Sequence, residues 1–318
     1  MNYLITGSCG FIGYHLALKL CENKKNKIYG LDSINSYYSL KLKKTRLDIL
    51  KKKKNFYFNK INLVHKKKLK NFIKNIDIDY VIHLAGQPGV MYSFKNPKSY
   101  KDNNLIATKN LIEAIKNKNF KKFIFGSSSS VYGEQKKYPI KENSNLNPKN
   151  YYALTKKKCE EMIFKDKKLN SKAVIFRFFT VYGPLSRPDM FISIFLNNLK
   201  ENKETLLYNK GNHFRDYTYV DDVIEYITRS LKKRKHSFGK KIYNICASNP
   251  KKIIDLVNIM SSNLNVSPII NFKPKRKGEM LKTFGSNSKL TKEYGKKQFT
   301  KFETGIKKTI KFFKKLKY

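Results

Sequence analysis

The sequence has no apolar run long enough to cross a membrane, and it has only four cysteines, scattered along the chain. A bilayer-spanning helix needs about 18 to 20 predominantly apolar residues, so no membrane association is predicted. The cysteines have neither the spacing of metal ligands nor that of a disulfide framework. We therefore predict a reduced, cytoplasmic protein without a metal site. The first residues, MNYLIT, have the pattern of a strand rather than of a cleaved leader.

Arginine and acidic residues are also scarce, although the formal net charge is +45. Only seven of the 68 basic residues are arginine, and the lysines are spread over the whole chain among abundant Asn, Ile, Phe and Tyr. Surfaces that bind nucleic acid generally carry arginine forks and a recognisable motif. The charge therefore indicates compositional drift on solvated faces and no specific nucleic-acid partner. Because lysine is the default cation, each arginine is a candidate for a site that needs a planar, bidentate donor.

The apolar pattern alternates short β-rich runs, such as NYLIT and DYVIHLA, with longer amphipathic segments, such as residues 11–21 and 96–116. Strands separated by helices predict right-handed crossovers and a parallel sheet with helices on both faces. The predicted fold class is therefore α/β, with a doubly wound parallel sheet. We assign residues 1–178 to this domain. Residues 179–318, where the alternation loosens, are assigned mainly to a smaller α/β substrate-binding domain, with about 218–235 returning to the first.

Three glycines, Gly7, Gly10 and Gly13, lie between the first predicted strand and the first predicted helix, in ITGSCGFIGYHLAL. Glycines at this spacing allow a tight turn, close approach of backbone N–H groups to a pyrophosphate, and packing of the helix on the strand. Asp32 ends the second predicted strand, where a carboxylate accepts hydrogen bonds from both hydroxyls of an adenosine ribose and repels a 2′-phosphate. The segment predicts a Rossmann-type nucleotide site that binds NAD rather than NADP.

The segment YYALTKK places Tyr152 and Lys156 four residues apart, and so on one face of a predicted helix. Tyrosine has an unperturbed pKa of about 10, and a neighbouring ammonium favours the phenolate. Tyr152 is therefore the candidate general base towards an alcohol, with Lys156 as its partner and as a ligand of the nicotinamide ribose. Tyr151 is the rival base, although the residue at the same spacing from it is Thr155.

Four serines follow the fifth predicted strand in GSSSSVYG, Gly126 to Gly133, a segment without an acid. In open α/β sheets, ligands bind beyond the carboxyl ends of the strands. We therefore expect Ser127 to Ser130 to face the nicotinamide and the substrate, and not to form a flexible linker. Two other polar residues are left outside the site: His83, interpreted as a packed strand-end residue, and Arg177, interpreted as structural.

Together these motifs resemble the extended short-chain dehydrogenase/reductase superfamily, specifically its NAD-dependent nucleotide-sugar epimerases and dehydratases. The resemblance covers nearly the whole chain and is greatest to the UDP-glucuronate 4-epimerases, through GLDSINSYYSLKLKKTRL, HLAGQPGVMYSFKNPKSYKDNNL, SSSSVYG, RFFTVYGPLSRPDM and FRDYTYVDDV. The related dehydratases carry Thr-Asp-Glu before Val-Tyr-Gly, and the related decarboxylases place a glutamate third. Here these positions are Ser128, Ser129 and Ser130. The resemblance therefore implies oxidation and re-reduction at carbon 4, without elimination or decarboxylation.

The resemblance also implies a mechanism and a set of contacts. Tyr152, helped by Ser128, would remove the proton of the 4-hydroxyl while hydride passes to tightly bound NAD, and the keto sugar would turn before hydride returns. The implied cofactor contacts are Gly7, Gly10, Phe11, Ile12, Gly13, Asp32, Asn62, Leu84, Ala85, Tyr152 and Lys156. The implied UDP-sugar contacts are Ser128; Ser129, Thr180 and Arg187 at the sugar carboxylate; and Arg215 and Arg276 at the diphosphate. A homodimer through the helices around residues 96–116 and 151–168 is also implied.

Several departures from the pattern of the glucuronate epimerases leave other substrates open. Met91 stands at the arginine position of GVRYS, Arg276 stands where glutamine is typical, and GPLSRPDM replaces GPWGRPDM. Asn62 stands where relatives usually have an aspartate that contacts adenine. The first alternative is therefore a 4-epimerase of a neutral UDP-hexose or UDP-N-acetylhexosamine. The second is a non-catalytic, NAD-bound protein that binds a polyanion through its charge, although the intact pair of Tyr152 and Lys156 argues against it.

Overall fold

The alternating pattern forms regular elements throughout the computed structural model, which describes residues 1–234, 241–276 and 279–315. Within these ranges the strands are β1 (Asn2–Thr6), β2 (Lys27–Asp32), β3 (Phe56–Lys60), β4 (Tyr80–His83), β5 (Lys122–Ser128), β6 (Ala173–Phe178), β7 (Thr180–Tyr182), β8 (Thr205–Tyr208), β9 (Phe214–Tyr219), β10 (Ile242–Ile245), β11 (Pro250–Lys252) and β12 (Ile270–Lys273). The α-helices are α1 (Phe11–Cys21), α2 (Leu40–Lys51), α3 (Lys66–Lys74), α4 (Tyr92–Lys95), α5 (Pro97–Tyr100), α6 (Ala107–Ile115), α7 (Tyr151–Lys165), α8 (Lys167–Lys172), α9 (Phe191–Lys200), α10 (Val220–Lys232), α11 (Ile253–Leu264), α12 (Ser288–Tyr294) and α13 (Phe302–Lys315).

Seven parallel strands form the main sheet, in the order β10-β6-β5-β4-β1-β2-β3. Parallel neighbours require crossover connections, which helices supply here on both faces. The direction of winding reverses between β1 and β4, and ligands of such sheets bind beyond the carboxyl ends of the strands at this switch point. The predicted doubly wound α/β sheet is confirmed, and its order locates the candidate site.

Apolar side chains cover both faces of the main sheet. One face packs against α1, α2 and α10, through residues such as Leu16 and Ile227. The other packs against α3, α6 and α7, through residues such as Leu111 and Ile163. Strands buried on two faces are continuously apolar rather than alternating, which explains runs such as KKFIF before the serines.

The C-terminal part builds a second core beside the sheet. Strands β7, β9 and β11 form a three-stranded sheet, β8 pairs with β12, and their core includes Phe195, Leu256 and Ile306. The chain returns to the main sheet through α10, which packs against α1, and through β10, which pairs with β6. The segment predicted to return to the first domain, about residues 218–235, does not include β10. A short run such as IYNI does not indicate which strand it will pair with.

Two predicted helices are interrupted. Between residues 96 and 116, a π-helical turn at Lys101–Ile106 separates α5 from α6. The helix predicted from Tyr151 to Lys168 ends at Lys165, and Asp166 begins α8 by accepting a hydrogen bond from the Leu169 N–H at 2.9 Å. Aspartate is a favoured N-cap because its carboxylate satisfies a free N–H of the first turn. Among the described residues, no helix is long and apolar enough to span a membrane.

Candidate active site

A cleft of about 1400 Å³, counting its solvent-open mouth, lies beyond the carboxyl ends of β1, β2, β4 and β5. The structure brings together here every residue predicted to bind the cofactor, and the predicted catalytic serine. These lining residues are Gly7, Gly10, Phe11, Ile12, Gly13, Asp32, Asn62, Leu84, Ala85, Ser128, Tyr152 and Lys156. Their contributions from distant parts of the chain meet because parallel strands end at the same edge of the sheet.

The glycine turn after β1 leaves room for an anion at the start of α1. Gly7 adopts a φ of +73°, and a Cβ added to it would lie 2.7 Å from the backbone nitrogen of Ala85. A Cβ at Gly13 would lie 2.1 Å from the carbonyl oxygen of Gly7. No side chain caps helix α1 at Gly10, so the first backbone N–H groups of the helix have no side-chain acceptor at this cap. The helix N-terminus attracts negative charge, and the turn therefore fits a pyrophosphate.

Asp32 is held at the edge of the cleft by two backbone donors. Its Oδ2 accepts the Cys9 N–H at 3.0 Å, and its Oδ1 accepts the Ile34 N–H at 2.8 Å. A carboxylate has about four acceptor positions, so these two bonds leave others for a pair of ribose hydroxyls. Asn62, which also lines the cleft, accepts the Val64 N–H at 3.0 Å through its side-chain oxygen.

Lys156 fixes the face of α7 that carries the candidate base against the end of β5. The helix begins at an Asn150 cap, whose side chain accepts the Ala153 N–H at 2.9 Å. One turn later, the buried Lys156 ammonium donates to the Gly126 carbonyl at 2.8 Å and lies 4.8 Å from the Phe125 ring centroid. Tyr152 lies one turn before Lys156 and lines the same cleft. The pair is therefore positioned to act on one reacting group.

The four serines at and after the end of β5 differ in their positions and in their hydrogen-bond partners. Ser127 and Ser128 line the cleft, and the Ser127 hydroxyl donates to Glu160 of α7. The Ser128 hydroxyl accepts the Ser130 N–H at 3.2 Å, which starts a short 3₁₀ turn, Ser129–Tyr132. This capping explains why a serine run forms ordered structure here rather than a linker.

A buried ion pair lies one turn beyond Lys156. Arg177 of β6 donates to Glu160 through Nε at 3.0 Å and Nη2 at 2.6 Å, and the two side chains are 2% and 4% exposed. Its Nη1 donates to the Tyr132 hydroxyl at 2.9 Å. Burial favours the neutral form of Arg177, but Glu160 outweighs it and holds the pKa of the guanidinium above its ordinary value. The pair joins α7 to β6, and Ser127 extends it to β5.

A second cavity lies beside the first, in the C-terminal part, and it contains two of the predicted arginines. Arg215 and Arg276 both contact Glu279, each at 3.3 Å. The Arg276 guanidinium lies 3.7 Å from the Tyr208 ring centroid. His213 lines the same cavity, and burial lowers the pKa of its imidazole. The structure thus places two guanidinium groups, an aromatic face and a carboxylate around one space.

Of the three residues predicted at the sugar carboxylate, two line different cavities, and Ser129 lines neither. Arg187 lines the first cleft with Tyr152, whereas Thr180 lines the second. Ser129 is half-buried next to Ser128. Arg187 is paired with Asp189, through Nε to Oδ1 at 2.9 Å and Nη2 to Oδ2 at 2.7 Å.

His83 is packed below the cleft. Its Nδ1 pairs with the Thr6 hydroxyl at 2.7 Å, and its Nε2 with the Thr108 hydroxyl at 2.9 Å. Burial, and to a smaller extent the Lys156 ammonium, lowers the pKa of His83 to about 3. The imidazole is therefore neutral near neutral pH and links β4 to β1 and α6. This placement agrees with its interpretation as a strand-end residue.

Arg46 connects two loops at the rim of the cleft. It is fully buried, donates through Nη1 to the Cys9 carbonyl at 2.8 Å and to the Tyr38 hydroxyl at 2.7 Å, and donates through Nη2 to the Leu185 carbonyl at 2.6 Å. Cys9 belongs to the glycine turn, and Leu185 belongs to the loop that carries Arg187. One guanidinium therefore holds two loops of the site together.

The motifs of the sequence did not indicate the acidic partners of the candidate arginines. Asp189 and Glu279 follow Arg187 and Arg276 by two and three residues, so a local search for acids beside the scarce arginines finds them. For Arg46, the only signal in the sequence is the scarcity of arginine in this chain. Asp189 and Glu279 give the guanidinium groups of Arg187 and Arg276 a defined orientation, which an isolated arginine on a loop does not have.

The doubly wound sheet, the glycine turn and the pair of Tyr152 and Lys156 in one cleft define a dinucleotide-binding enzyme of the short-chain dehydrogenase/reductase type. Residues 3–246 match the NAD dependent epimerase/dehydratase family, and the chain belongs to this family.

Relatives of this chain include epimerases of charged and of neutral sugars. The UDP-glucuronate 4-epimerase of Thermodesulfobacterium geofontis is 33% identical over 98% of this chain and 96% of that protein. The crystal structure of UDP-glucuronic acid 4-epimerase from Bacillus cereus, with UDP-glucuronic acid and NAD, matches 99% of both chains at 30% identity and a TM-score of 0.92. The UDP-glucose 4-epimerase of Thermotoga maritima, with UDP-glucose, matches 99% of both chains at 27% identity and a TM-score of 0.88.

Proposed function

We propose that this protein is an NAD-dependent UDP-sugar 4-epimerase that interconverts UDP-glucuronate and UDP-galacturonate. The observation that carries the proposal is the meeting of Tyr152, Lys156 and Ser128 in the cleft that also holds the glycine turn. The positions that would carry acids in a dehydratase or a decarboxylase are serines. The similarity to the Bacillus cereus enzyme over nearly its full length supports the same reaction.

The residues of the first cleft fit NAD. The turn from Gly7 to Gly13 would hold the pyrophosphate, Asp32 the adenosine ribose, and Lys156 the nicotinamide ribose. When bound, NAD supplies a hydride acceptor that later returns the hydride to the same sugar carbon. The overall reaction is then redox-neutral, and the protein needs no second substrate.

The side chains of the chain itself manage the proton. The Tyr152 phenolate takes the proton of the 4-hydroxyl, becomes a phenol, and returns the proton after the sugar has turned, with Ser128 hydrogen-bonded to the same sugar oxygen. The Lys156 ammonium, which the Gly126 carbonyl holds in place, stabilises the phenolate. The surrounding apolar walls, including Phe178 and Val181, limit the access of water to the keto sugar.

The second cavity is proposed to hold the UDP part of the substrate. Arg215 and Arg276 would contact the diphosphate, since a guanidinium matches the geometry of phosphate oxygens. Arg187, on the side of the first cleft, would contact the carboxylate of the sugar, with Ser129 and Thr180 supplying hydroxyl donors. Because the two cavities share Val181 and Met190, a molecule that fills both can place its sugar near Tyr152.

A 4-epimerase of a neutral UDP-hexose is the second candidate. Met91, at the arginine position of the glucuronate epimerases, is 40% exposed and brings no charge to the site. The similarity to the Thermotoga maritima enzyme is compatible with a neutral sugar. Arg187 lines the cleft with Tyr152 and brings a guanidinium that favours an anionic sugar, and this observation ranks UDP-glucuronate first.

Purified protein incubated separately with UDP-glucuronate, UDP-glucose and UDP-N-acetylglucosamine is expected to convert the first with the highest kcat/KM. The expected product is UDP-galacturonate, without carbon dioxide release, and ion-exchange chromatography separates it from the substrate. The reason is that Arg187 offers a charged hydrogen-bond donor to a carboxylate, whereas a hydroxymethyl group has no charge to pair with it. Turnover of a neutral sugar alone would contradict the choice of UDP-glucuronate.

We further propose a cytoplasmic homodimer. Helices α6 and α7 carry partly buried apolar side chains, including Ile112 and Phe164, that a second copy could cover. The expected result is a mass of twice the 37.3 kDa chain by light scattering at micromolar concentration. A mass of one chain under these conditions would contradict the dimer.

A further inference from the structure

Arg187 is one end of a three-residue chain at the rim of the cleft. Asp189 accepts two parallel hydrogen bonds from it, and the Tyr37 hydroxyl donates to Asp189 Oδ2 at 3.0 Å. Tyr37 and Asp189 are 152 positions apart, so this contact is made by the fold and not by local sequence. The chain connects the loop after β2 with the loop before α9.

Asp189 takes one particular edge of the guanidinium. Its oxygens occupy Nε and Nη2, which form one of the two edges that an arginine offers for bidentate pairing. Within the described part of the chain, the structure gives no hydrogen bond from Nη1 of Arg187. The edge formed by Nη1 and Nη2 is therefore available to a second carboxylate, and Arg187 lines the same cleft as Tyr152.

Tyr37 is itself held from two directions. Its ring lies 4.9 Å from the Tyr92 ring centroid, and its hydroxyl lies against Gly89, where an added Cβ would come within 2.3 Å of the phenolic oxygen. Gly89 has a φ of +94°, a conformation that favours glycine. The phenol of Tyr37 is thus held by the loop after β4, and its hydroxyl in turn positions Asp189.

From these contacts we propose that Tyr37 and Asp189 are positioning residues that aim Arg187 at the carboxylate of the sugar, and so set the preference for a uronate over a neutral hexose. This inference rests on the proposed function. Tyr37 holds Asp189 in place, and Asp189 holds Arg187 by one edge and leaves the other to the substrate. Without this anchor, the guanidinium of a loop arginine samples many rotamers, and ordering it on binding weakens the affinity.

The test compares Tyr37→Phe and Asp189→Asn with Tyr92→Phe, which removes a phenolic hydroxyl from the same aromatic cluster without touching Asp189. For the first two variants, KM for UDP-glucuronate is expected to rise about tenfold, an amount equal to ~1.4 kcal/mol, with kcat within about twofold. The inhibition constant of UDP and the thermal midpoint should not change. The control should match the wild type. Folding is preserved in Tyr37→Phe, because it removes a single oxygen atom.

Two results would overturn the inference. If Asp189 only competes with the substrate for Arg187, Asp189→Asn will tighten UDP-glucuronate binding instead of weakening it. If Tyr37→Phe and Asp189→Asn weaken UDP as much as UDP-glucuronate, their role is structural and not selective. Either outcome is measured as a change in the ratio of the affinity for UDP-glucuronate to the affinity for UDP.

A binding measurement separates this inference from the proposed function. Titration calorimetry with UDP-glucuronate, UDP-glucose and UDP, on proteins that also carry Tyr152→Phe, reports affinity without turnover. If the wild type binds UDP-glucuronate preferentially but does not epimerise it, the proposed function fails, and the effect of Tyr37→Phe still decides the inference. If UDP-glucose binds as well as UDP-glucuronate, and Tyr37→Phe changes neither, the inference is wrong.

Discussion

Replacing Tyr152 with phenylalanine is expected to lower kcat about 10²- to 10⁴-fold while the protein keeps its NAD. The variant removes the hydroxyl that takes the proton of the sugar alcohol and leaves the ring in the cleft. None of the contacts that would hold the pyrophosphate and the adenosine ribose depends on this hydroxyl, since they come from the glycine turn and Asp32. Turnover is measured by chromatographic separation of the two UDP-uronates, and NAD by absorbance after release from denatured protein.

Tyr151→Phe is the matched control for this prediction. Tyr151 precedes Tyr152 on α7 but has Thr155 rather than a lysine one turn later. Its variant should keep near-normal turnover and NAD content. If Tyr151→Phe lost activity and Tyr152→Phe did not, the general base would be Tyr151, and its assignment to Tyr152 would be wrong. Loss of NAD from Tyr152→Phe would show that the variant damages the cofactor site and not the chemistry alone.

Replacing Arg177 with methionine is expected to lower the free energy of unfolding by about 3 to 5 kcal/mol. The substitution leaves the Glu160 carboxylate buried without its cation, next to a Ser127 hydroxyl and far from water. It also removes a donor from the Tyr132 hydroxyl. Urea unfolding followed by circular dichroism gives the change from the midpoint and slope of the transition.

Two comparisons test whether burial causes that loss. Lys19→Met breaks an exposed ion pair, with side chains 49% and 63% exposed, and is expected to cost about 0 to 1 kcal/mol. The double variant Glu160→Leu with Arg177→Met removes both charges, so it should be less destabilised than Arg177→Met alone. Equal losses for Arg177→Met and Lys19→Met would be incompatible with a stabilising buried pair.

Much of the fold and the core of the site could be predicted because they depend on local patterns. The first helix begins at Phe11 and ends at Cys21 as the amphipathic pattern predicts, since its glycine turn and its apolar face are encoded in adjacent residues. The same holds for the cleft, because strand ends in a parallel sheet share one edge. Gly7, Asp32 and Tyr152 therefore meet in space although they are far apart in sequence.

Other features could not be predicted because they depend on pairings between distant segments. The contact of Tyr37 with Asp189 requires two loops 152 positions apart to meet, and neither loop has a motif that indicates the other. The place of β10 at the edge of the main sheet depends on which strand is free to pair, not on its own four residues. The split of the Tyr151 helix at Asp166 reflects a cap that competes with continuation of the helix.

Arg46 joins the two loops of the candidate site. Its guanidinium binds carbonyls of the glycine turn and of the loop that carries Arg187, so one side chain connects the two loops. If a nucleotide that orders the first loop also restricts the second, linkage requires the sugar nucleotide to strengthen cofactor binding by the same factor. Under that linkage the cofactor would be held most tightly while a keto sugar is bound, when its loss would leave the intermediate without a hydride donor.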